Sequence, residues 1–247
     1  MKVALFITCL ADQLFPEVGE SVVRILQRHG CTVTFPEAQL CCGQPAFNSG
    51  YREEARRVAS LTLDAFEDAE YVVSPSGSCS GMIAHYYPEL FAEDPVQLER
   101  ARRLARKTYE FSAFLVNVLG VTDVAARFPA RVTYHASCHG SRLLGVKNEP
   151  LALLGAVREL ELVPLPRCED CCGFGGTFSV KLSELSSAMV DEKIEHVLET
   201  GADYLVGTDM GCLMNIDGRL RRRGLPVRTL HLAQLLDGAV VRGDKPK

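Results

Sequence analysis

Three features that would assign the chain to common functional classes are absent from its 247 residues. No apolar run approaches the roughly 18 residues needed to span a bilayer, so we expect no membrane span. The net charge of −4 gives no general attraction to nucleic acid, whose protein partners normally carry a basic surface. No glycine-rich dinucleotide fingerprint follows a predicted strand, so a flavin or nicotinamide would have to reside on a partner protein.

The N-terminus has only a superficial likeness to a secretion signal. Its apolar stretch, Val3 to Ala11, follows a single lysine, but no small-residue cleavage site comes after it. We therefore expect a cytoplasmic protein. In a reducing cytosol, ten cysteines are more typical of metal ligands or redox groups than of structural disulfides.

What the chain does have is one cysteine pattern that occurs twice. Each copy contains a single cysteine, a vicinal pair followed by glycine, and a second single cysteine: Cys9, Cys41, Cys42 and Cys79, then Cys138, Cys171, Cys172 and Cys212. Equivalent cysteines are shifted by 129, 130, 130 and 133 residues. The apolar segments before them repeat as well, which indicates that a whole structural unit was duplicated.

Short apolar strands alternate with amphipathic helices in both copies. The predicted strands are 3–9, 31–35, 71–74, 132–137, a segment near 162, and 204–207; the predicted helices are 18–29, 53–69, 150–160 and 182–200. This alternation predicts an α/β fold of two pseudo-repeated parallel-sheet halves with helices packed on the sheets. We place the halves at residues 1–122 and 123–247.

A basic segment lies between the two copies of the pattern. We interpret residues 95–120 as one or two helices that bridge the halves. Their cluster of positive charges, Arg100, Arg102, Arg103, Arg106 and Lys107, is interpreted as a solvated face, with docking of an acidic partner protein as the alternative.

The positions of the cysteines suit a common site. Four of them, Cys9, Cys79, Cys138 and Cys212, come directly after predicted strands, and loops that leave the carboxyl ends of parallel strands converge at one edge of the sheet. Neighbouring side chains on a strand point to opposite faces, so both members of a vicinal pair can serve one site only if the backbone turns. Gly43 supplies the conformational freedom for that turn.

Four thiolates in each copy match the ligand number of an iron–sulfur cluster and equally that of a tetrahedral zinc site. Structural zinc usually uses two close Cys-x-x-Cys pairs, whereas these ligands are dispersed through a chain long enough to fold by core burial. We therefore favour one or two iron–sulfur clusters, with zinc in one half as the open alternative. A strained vicinal disulfide at 41–42 or 171–172 is a third interpretation.

Residues close to Cys138 are candidates for a role beside the metal. His135 and His139 flank it and can donate hydrogen bonds to a cluster sulfur or a substrate. Arg142 can bind a carboxylate through two hydrogen bonds, a plain surface position being the alternative. Of the two remaining cysteines, Cys31 is predicted to be a buried core thiol. Cys168, which forms Cys-x-x-Cys with Cys171, is a spare or alternate ligand.

These motifs resemble those of the CCG-motif, cysteine-rich iron–sulfur proteins over nearly the full length of the chain. They are CCGQP at 41–45, SCSGM at 78–82, HASCH at 135–139, CCGFGG at 171–176 and GCLMN at 211–215. The likeness is strongest to the lactate-utilisation branch, the small iron–sulfur subunit of a three-protein L-lactate oxidation system. It implies an oxidoreductase subunit that transfers electrons while L-lactate, or a similar 2-hydroxy acid, is oxidised to pyruvate with partner subunits.

The wider family includes the CCG-motif subunit of heterodisulfide reductase and the iron–sulfur subunit of glycolate oxidase. In the reductase each motif ends in Cys-x-x-Cys, and the fifth cysteine belongs to a double cluster. Met82 and Asn215 stand at those positions here, so the resemblance implies an ordinary 4Fe-4S cluster, one or two on the eight cysteines, or a half that is unoccupied or binds zinc. A heterodisulfide or thiol–disulfide reductase component and a non-enzymatic zinc-binding protein are the alternative functions.

Overall fold

A computed structural model describes residues 1–238, which form two four-stranded parallel sheets with helices around them. The first sheet contains β1 (Lys2–Leu5), β2 (Thr32–Thr34), β3 (Tyr71–Ser74) and β4 (Thr108–Glu110); the second contains β5 (Arg131–His135), β6 (Glu161–Val163), β7 (Tyr204–Gly207) and β8 (Arg228–His231). The strand orders, β2-β1-β3-β4 and β6-β5-β7-β8, are the same in both halves. The predicted α/β fold with two similar halves is confirmed.

Helices connect the strands of each half in the crossover pattern that parallel pairing requires. The first half contains α1 (Cys9–Leu14), α2 (Pro16–Arg28), α3 (Gln44–Asn48), α4 (Arg52–Ala65), α5 (Gly77–Gly81), α6 (Tyr87–Leu90), α7 (Pro95–Lys107) and α8 (Phe111–Ala113). The second contains α9 (Asn148–Gly155), α10 (Thr177–Lys181), α11 (Ser183–Glu199), α12 (Met210–Arg222) and α13 (Leu232–Asp237). Three π-helical segments are π1 (Met82–Tyr86), π2 (Phe114–Val118) and π3 (His139–Leu143). Within residues 1–238, none of these helices combines the length and apolarity needed to cross a bilayer.

The fourth strand of each sheet is not predicted by the sequence pattern. Residues 95–120, interpreted as one or two helices, contain helices on either side of β4, and the prediction omitted the strand at 108–110. β4 has only three residues, too few for an alternating pattern to show, and it exists because it pairs with β3. β8 pairs with β7 in the same way.

The two halves share one apolar core. A large cluster of buried side chains combines residues of the first half, such as Leu5 and Phe111, with residues of the second, such as Val132 and Leu213. Cys31, 6% exposed, belongs to this cluster, which confirms its prediction as a core thiol. Each half also has an outer cluster of its own. The division at residue 122 stays a prediction, and residues 239–247 of the predicted second half lie outside the described residues.

The basic residues of α7 find acidic partners within the chain. Arg100 pairs with Asp64 and Glu67, and Arg106 pairs with Glu99. The Nζ atom of Lys107 donates a hydrogen bond to the carbonyl of Glu67 at 2.7 Å. These contacts support the interpretation of the segment as a solvated face.

Candidate metal centre

Four of the predicted ligands lie where strands pass into helices at the carboxyl edges of the two sheets. Cys9 begins α1 after β1, Cys79 lies in the first turn of α5 after β3, Cys138 precedes π3 after β5, and Cys212 lies in the first turn of α12 after β7. The ligands were expected in loops, but the strands lead almost directly into helical turns. Backbone N–H groups at these turns have no partner one turn earlier, which favours negatively charged sulfur nearby.

The vicinal pairs are placed by a turn at the glycine that follows each of them. Gly43 has a φ of 82° and Gly173 a φ of 80°, the left-handed region that glycine tolerates. The N–H of Gly43 donates to Cys41 Sγ at 3.5 Å, and that of Gly173 donates to Cys171 Sγ at 3.4 Å. The predicted backbone turn is confirmed.

Within each half the four predicted ligands form a continuous chain of contacts. Cys9 Sγ lies 3.7 Å from Cys41 Sγ, and hydrogen bonds continue from Cys41 to Cys42 and from Cys42 to Cys79. The second set repeats this order from Cys138 through Cys171 and Cys172 to Cys212. All ten cysteines are free thiols, which argues against the vicinal disulfide.

The two sets open onto one cavity between the halves, with a volume of about 240 Å³. All eight predicted ligands line it: Cys9, Cys41, Cys42, Cys79, Cys138, Cys171, Cys172 and Cys212. Cys168 does not line this cavity; its carbonyl accepts a hydrogen bond from Lys193 Nζ at 3.2 Å. The structure therefore brings together the eight repeated cysteines at the cavity, and Cys168 lies outside its lining.

The hydrogen bonds inside each set favour one thiolate. Donation from Cys42 and Cys9 lowers the pKa of Cys41 to about 3, and donation from Cys138 and Cys172 lowers the pKa of Cys171 to about 2. The pKa of Cys42 is raised because its thiol donates to Cys41 and is buried. The thiolate is the form of cysteine that binds metal, so a bound cation would replace the protons that now hold each set together.

Contacts across the boundary of the halves line the cavity, and the sequence pattern did not predict them. Asp209 Oδ2 accepts hydrogen bonds from Ser76 Oγ at 3.0 Å and from Ser78 N at 2.9 Å. A Cβ on Gly77 would lie 2.9 Å from the Cα of Gly140, so only glycine permits this approach. One signal was available: Ser76 and Asp209 each stand three residues before a predicted ligand and cap a helix N-terminus.

The three candidates near Cys138 lie in different environments. His135 is 1% exposed, and burial lowers its pKa to about 4. His139 lines the cavity, where its Nε2 is 3.3 Å from Gln44 Nε2 of the first half. Arg142 is exposed, does not line the cavity, and donates a hydrogen bond to the carbonyl of Glu169.

The residues at the positions of the reductase's fifth cysteines have structural contacts. Met82 is fully buried in the outer core of the first half. Asn215 Nδ2 donates to the carbonyl of Cys172 at 2.8 Å, and in the first half Tyr87 Oη donates to the carbonyl of Cys42 at 3.0 Å. Each vicinal pair is thus fixed by a side chain from the helical segment that follows the last ligand.

The comparisons with known proteins agree with this duplicated site. The cysteine-rich domain family CCG matches residues 3–84 and 132–217, one match in each half. Lactate utilization protein A of Geobacillus thermodenitrificans is 57% identical over 237 residues, which cover 96% of this chain and 99% of that protein. Lactate utilization protein A of Halalkalibacterium halodurans is 56% identical over 237 residues, covering 96% of this chain and 97% of that protein.

Among solved structures, a hypothetical protein from Helicobacter pylori has the same fold. Its TM-score is 0.66 at 12% sequence identity, and the match covers 98% of this chain but 49% of that one. This likeness concerns the fold alone. On the duplicated family match and the full-length identity to its relatives, the chain belongs to the CCG cysteine-rich domain family and to the family of lactate utilization protein A.

Proposed function

We propose that the chain is a cytoplasmic iron–sulfur subunit of an oxidoreductase complex, and that it transfers electrons while L-lactate, or a similar 2-hydroxy acid, is oxidised to pyruvate. The relatives named lactate utilization protein A support a role in lactate utilisation. The observation that carries the proposal is the convergence of two complete thiol sets on one cavity.

The donor set fits inorganic cofactors. Each half offers four sulfur atoms, three of them from elements far apart in sequence, and the cavity has room for sulfide as well as metal. Cys42, Cys172 and Cys79 are 2%, 3% and 8% exposed, so the scaffold keeps water from the inner sulfurs. When bound, an iron–sulfur cluster supplies reversible one-electron transfer.

Two sets suit the stoichiometry of the proposed reaction. Oxidation of L-lactate to pyruvate releases two electrons and two protons, and two sets that each carry one electron match the electron count. The chain has no dinucleotide fingerprint, so the atoms that take the hydrogen from the hydroxy acid belong to a partner subunit. The cysteines of this chain hold the groups that receive the electrons.

Zinc in one half is the second candidate, because four thiolates also match the ligand number of a tetrahedral zinc site. Four thiolates arranged tetrahedrally at a Zn–S distance of about 2.3 Å lie about 3.8 Å apart. In the first set, Cys9 Sγ and Cys41 Sγ match that spacing at 3.7 Å, but no three of its sulfur atoms, all of which the structure describes, lie within 4.8 Å of one another, so zinc would require the set to contract. Zinc, iron and sulfide must therefore be measured on the same sample, purified without exposure to air.

Growth on L-lactate tests the proposed role. In a host whose own copy of the gene is deleted, we expect the wild-type chain and Cys31→Ala to restore growth on L-lactate. Cys42→Ser and Cys172→Ser are expected to fail. Cys31 is the matched control because it is a buried cysteine outside the cavity. Full growth with both serine variants, expressed at wild-type level, would contradict the proposal.

A further inference from the structure

The two cysteine sets differ in the residue three positions before their first cysteine. Phe6 and His135 occupy equivalent positions, three residues before Cys9 and Cys138. Phe6 is fully buried and packs against Phe66 with 5.5 Å between ring centroids. His135 is buried to the same degree, yet neither of its ring nitrogens has a hydrogen-bond partner among the described residues.

His135 is placed to reach the second set. A ring nitrogen of His135 and the Sγ atoms of Cys172 and Cys212 all lie within 4.8 Å of one another. A neutral imidazole carries one N–H in either tautomer, and a buried donor without an acceptor is unfavourable. The sulfur atoms of this set, and of the group that it binds, are the acceptors within reach.

A buried positive charge distinguishes the same half. The carbonyls of Ala55 and Ser186 lie closest to a Cβ built on Gly43 and on Gly173, so α4 and α11 are equivalent helices. Seven residues further along each helix stand Thr62 and Lys193, both fully buried.

Lys193 lies directly behind the loop that carries the second vicinal pair. Its Nζ donates to the carbonyls of Arg167 at 2.9 Å and Cys168 at 3.2 Å. Its electrostatic neighbours are Asp170, Cys168, Cys172 and Cys138, and the carboxylate of Asp170 is itself paired with Arg167 Nε at 3.0 Å. The ammonium group therefore acts on the sulfurs of the second set through protein rather than through solvent.

Asp209, the buried carboxylate at the cavity, does not cancel this difference in charge between the halves, because it contacts both of them. Asp209 accepts a hydrogen bond from the N–H of Ser78, the residue before Cys79, and from the N–H of Gly211, the residue before Cys212. Its negative charge therefore acts on both sets, whereas His135 and Lys193 belong to one.

We propose that His135 and Lys193 raise the reduction potential of the group held by the second set above that of the first. Hydrogen bonds to cluster sulfur and nearby positive charge stabilise the reduced, more negative state. With both groups bound, one electron would pass from the group held by the first set, which would be oxidised, to the group held by the second set, which would be reduced, and no proton transfer would be required. This inference rests on the proposed iron–sulfur function.

The test is anaerobic redox titration of the full chain, followed by electron paramagnetic resonance and visible absorption. Cys42→Ser provides the background in which the second set is observed alone. In that background, His135→Phe and Lys193→Thr, which introduce the residues of the first half, are each expected to lower the potential. A tenfold change in the reduction equilibrium corresponds to about 59 mV for one electron. The first set, observed in a Cys172→Ser background, is expected to keep its potential.

His135→Gln separates hydrogen bonding from packing, because it keeps a side-chain N–H. It is expected to retain a higher potential than His135→Phe. Unchanged potentials in His135→Phe and Lys193→Thr, or equal decreases in the two His135 variants, would overturn the inference. Loss of iron from both folded His135 variants would make His135 a ligand and would also overturn it. Absence of iron and sulfide from the wild-type chain would instead overturn the proposed function, and that result is obtained before any variant is made.

Discussion

The two halves of the molecule share the arrangement of their strands and cysteine ligands, and they differ in the side chains that surround the ligands. Strand order, the positions of the four cysteines and the left-handed glycine are the same in both. The neighbours are not: Phe6 and Thr62 stand in the first half where His135 and Lys193 stand in the second. Ligand geometry is set by the ends of parallel strands, so duplication preserves it while the surrounding side chains remain free to diverge.

The largest expected effect is on the iron content of the two halves, because each cysteine set is expected to bind iron independently of the other. Cys42→Ser should remove iron from the first half and leave most of it in the second, and Cys172→Ser should do the reverse. The reason is that each of these buried thiols contacts two other cysteines of its own set. Iron and sulfide analysis of anaerobic protein, with Cys31→Ala as control, measures the effect. Equal loss from both halves in either variant would mean one shared site.

A second comparison concerns the two glycine turns. Alanine at Gly43 or Gly173 would adopt a positive φ, at a cost of about 1–2 kcal/mol. At Gly173 the new Cβ would also lie 2.6 Å from the carbonyl oxygen of Ser186, whereas at Gly43 the nearest atom is 3.5 Å away. We therefore expect Gly173→Ala to destabilise more, by about 1–3 kcal/mol. Denaturant unfolding of both variants measures the difference, and equal losses would show that the second turn relaxes freely.

The fourth strand of each sheet ends in a buried titratable residue, and burial shifts the pKa values of these two residues in opposite directions. Glu110 and His231 are both buried and both cap the next helix, Glu110 by accepting from Ser112 N and His231 by accepting from Ala233 N. Burial raises the pKa of Glu110 to about 7 and lowers that of His231 to about 4. Stability from Glu110 is therefore lost as pH rises from about 4.5 through 7, and stability from His231 is lost as pH falls from about 6.5 through 4.

Glu110→Gln should remove the loss of folding stability that Glu110 causes as the pH rises. Relative to wild type, the variant should have a larger free energy of unfolding, and so be more stable, at pH 8 than at pH 5, by on the order of 1–3 kcal/mol. The measurement is unfolding of both chains in the same metal state at the two pH values. A difference that does not change with pH would show that Glu110 titrates normally in the folded protein.

The smallest expected effect concerns the carbonyls of the vicinal pairs. Tyr87→Phe leaves the buried carbonyl of Cys42 without its donor and should cost about 1–2 kcal/mol. Asn215→Ala removes the equivalent bond to Cys172, but Asn215 is half-buried and water can replace it, so a loss below about 1 kcal/mol is expected. Thermal unfolding measures the loss of stability in both variants, and a larger loss for Asn215→Ala than for Tyr87→Phe would contradict this prediction.

The sequence predicts the cysteine ligands and most of the strands before them better than it predicts the contacts around the site. The equal spacing of the two cysteine patterns indicates the eight cysteines that line the cavity, and the strands at 71–74 and 204–207 have the predicted bounds. β4 and β8 could not be predicted because pairing with a neighbouring strand, rather than local pattern, forms them. The single cavity and the contact of Asp209 with Ser76 depend on how the halves pack, which no local pattern records.

The most direct test of the central claim is the iron, sulfide and zinc content of wild-type chain purified and kept without oxygen. The account predicts iron and acid-labile sulfide in equal amounts, about four of each for every set that is filled with a 4Fe-4S cluster. Folded protein that has never met air and contains zinc, or no metal, without any sulfide would contradict it.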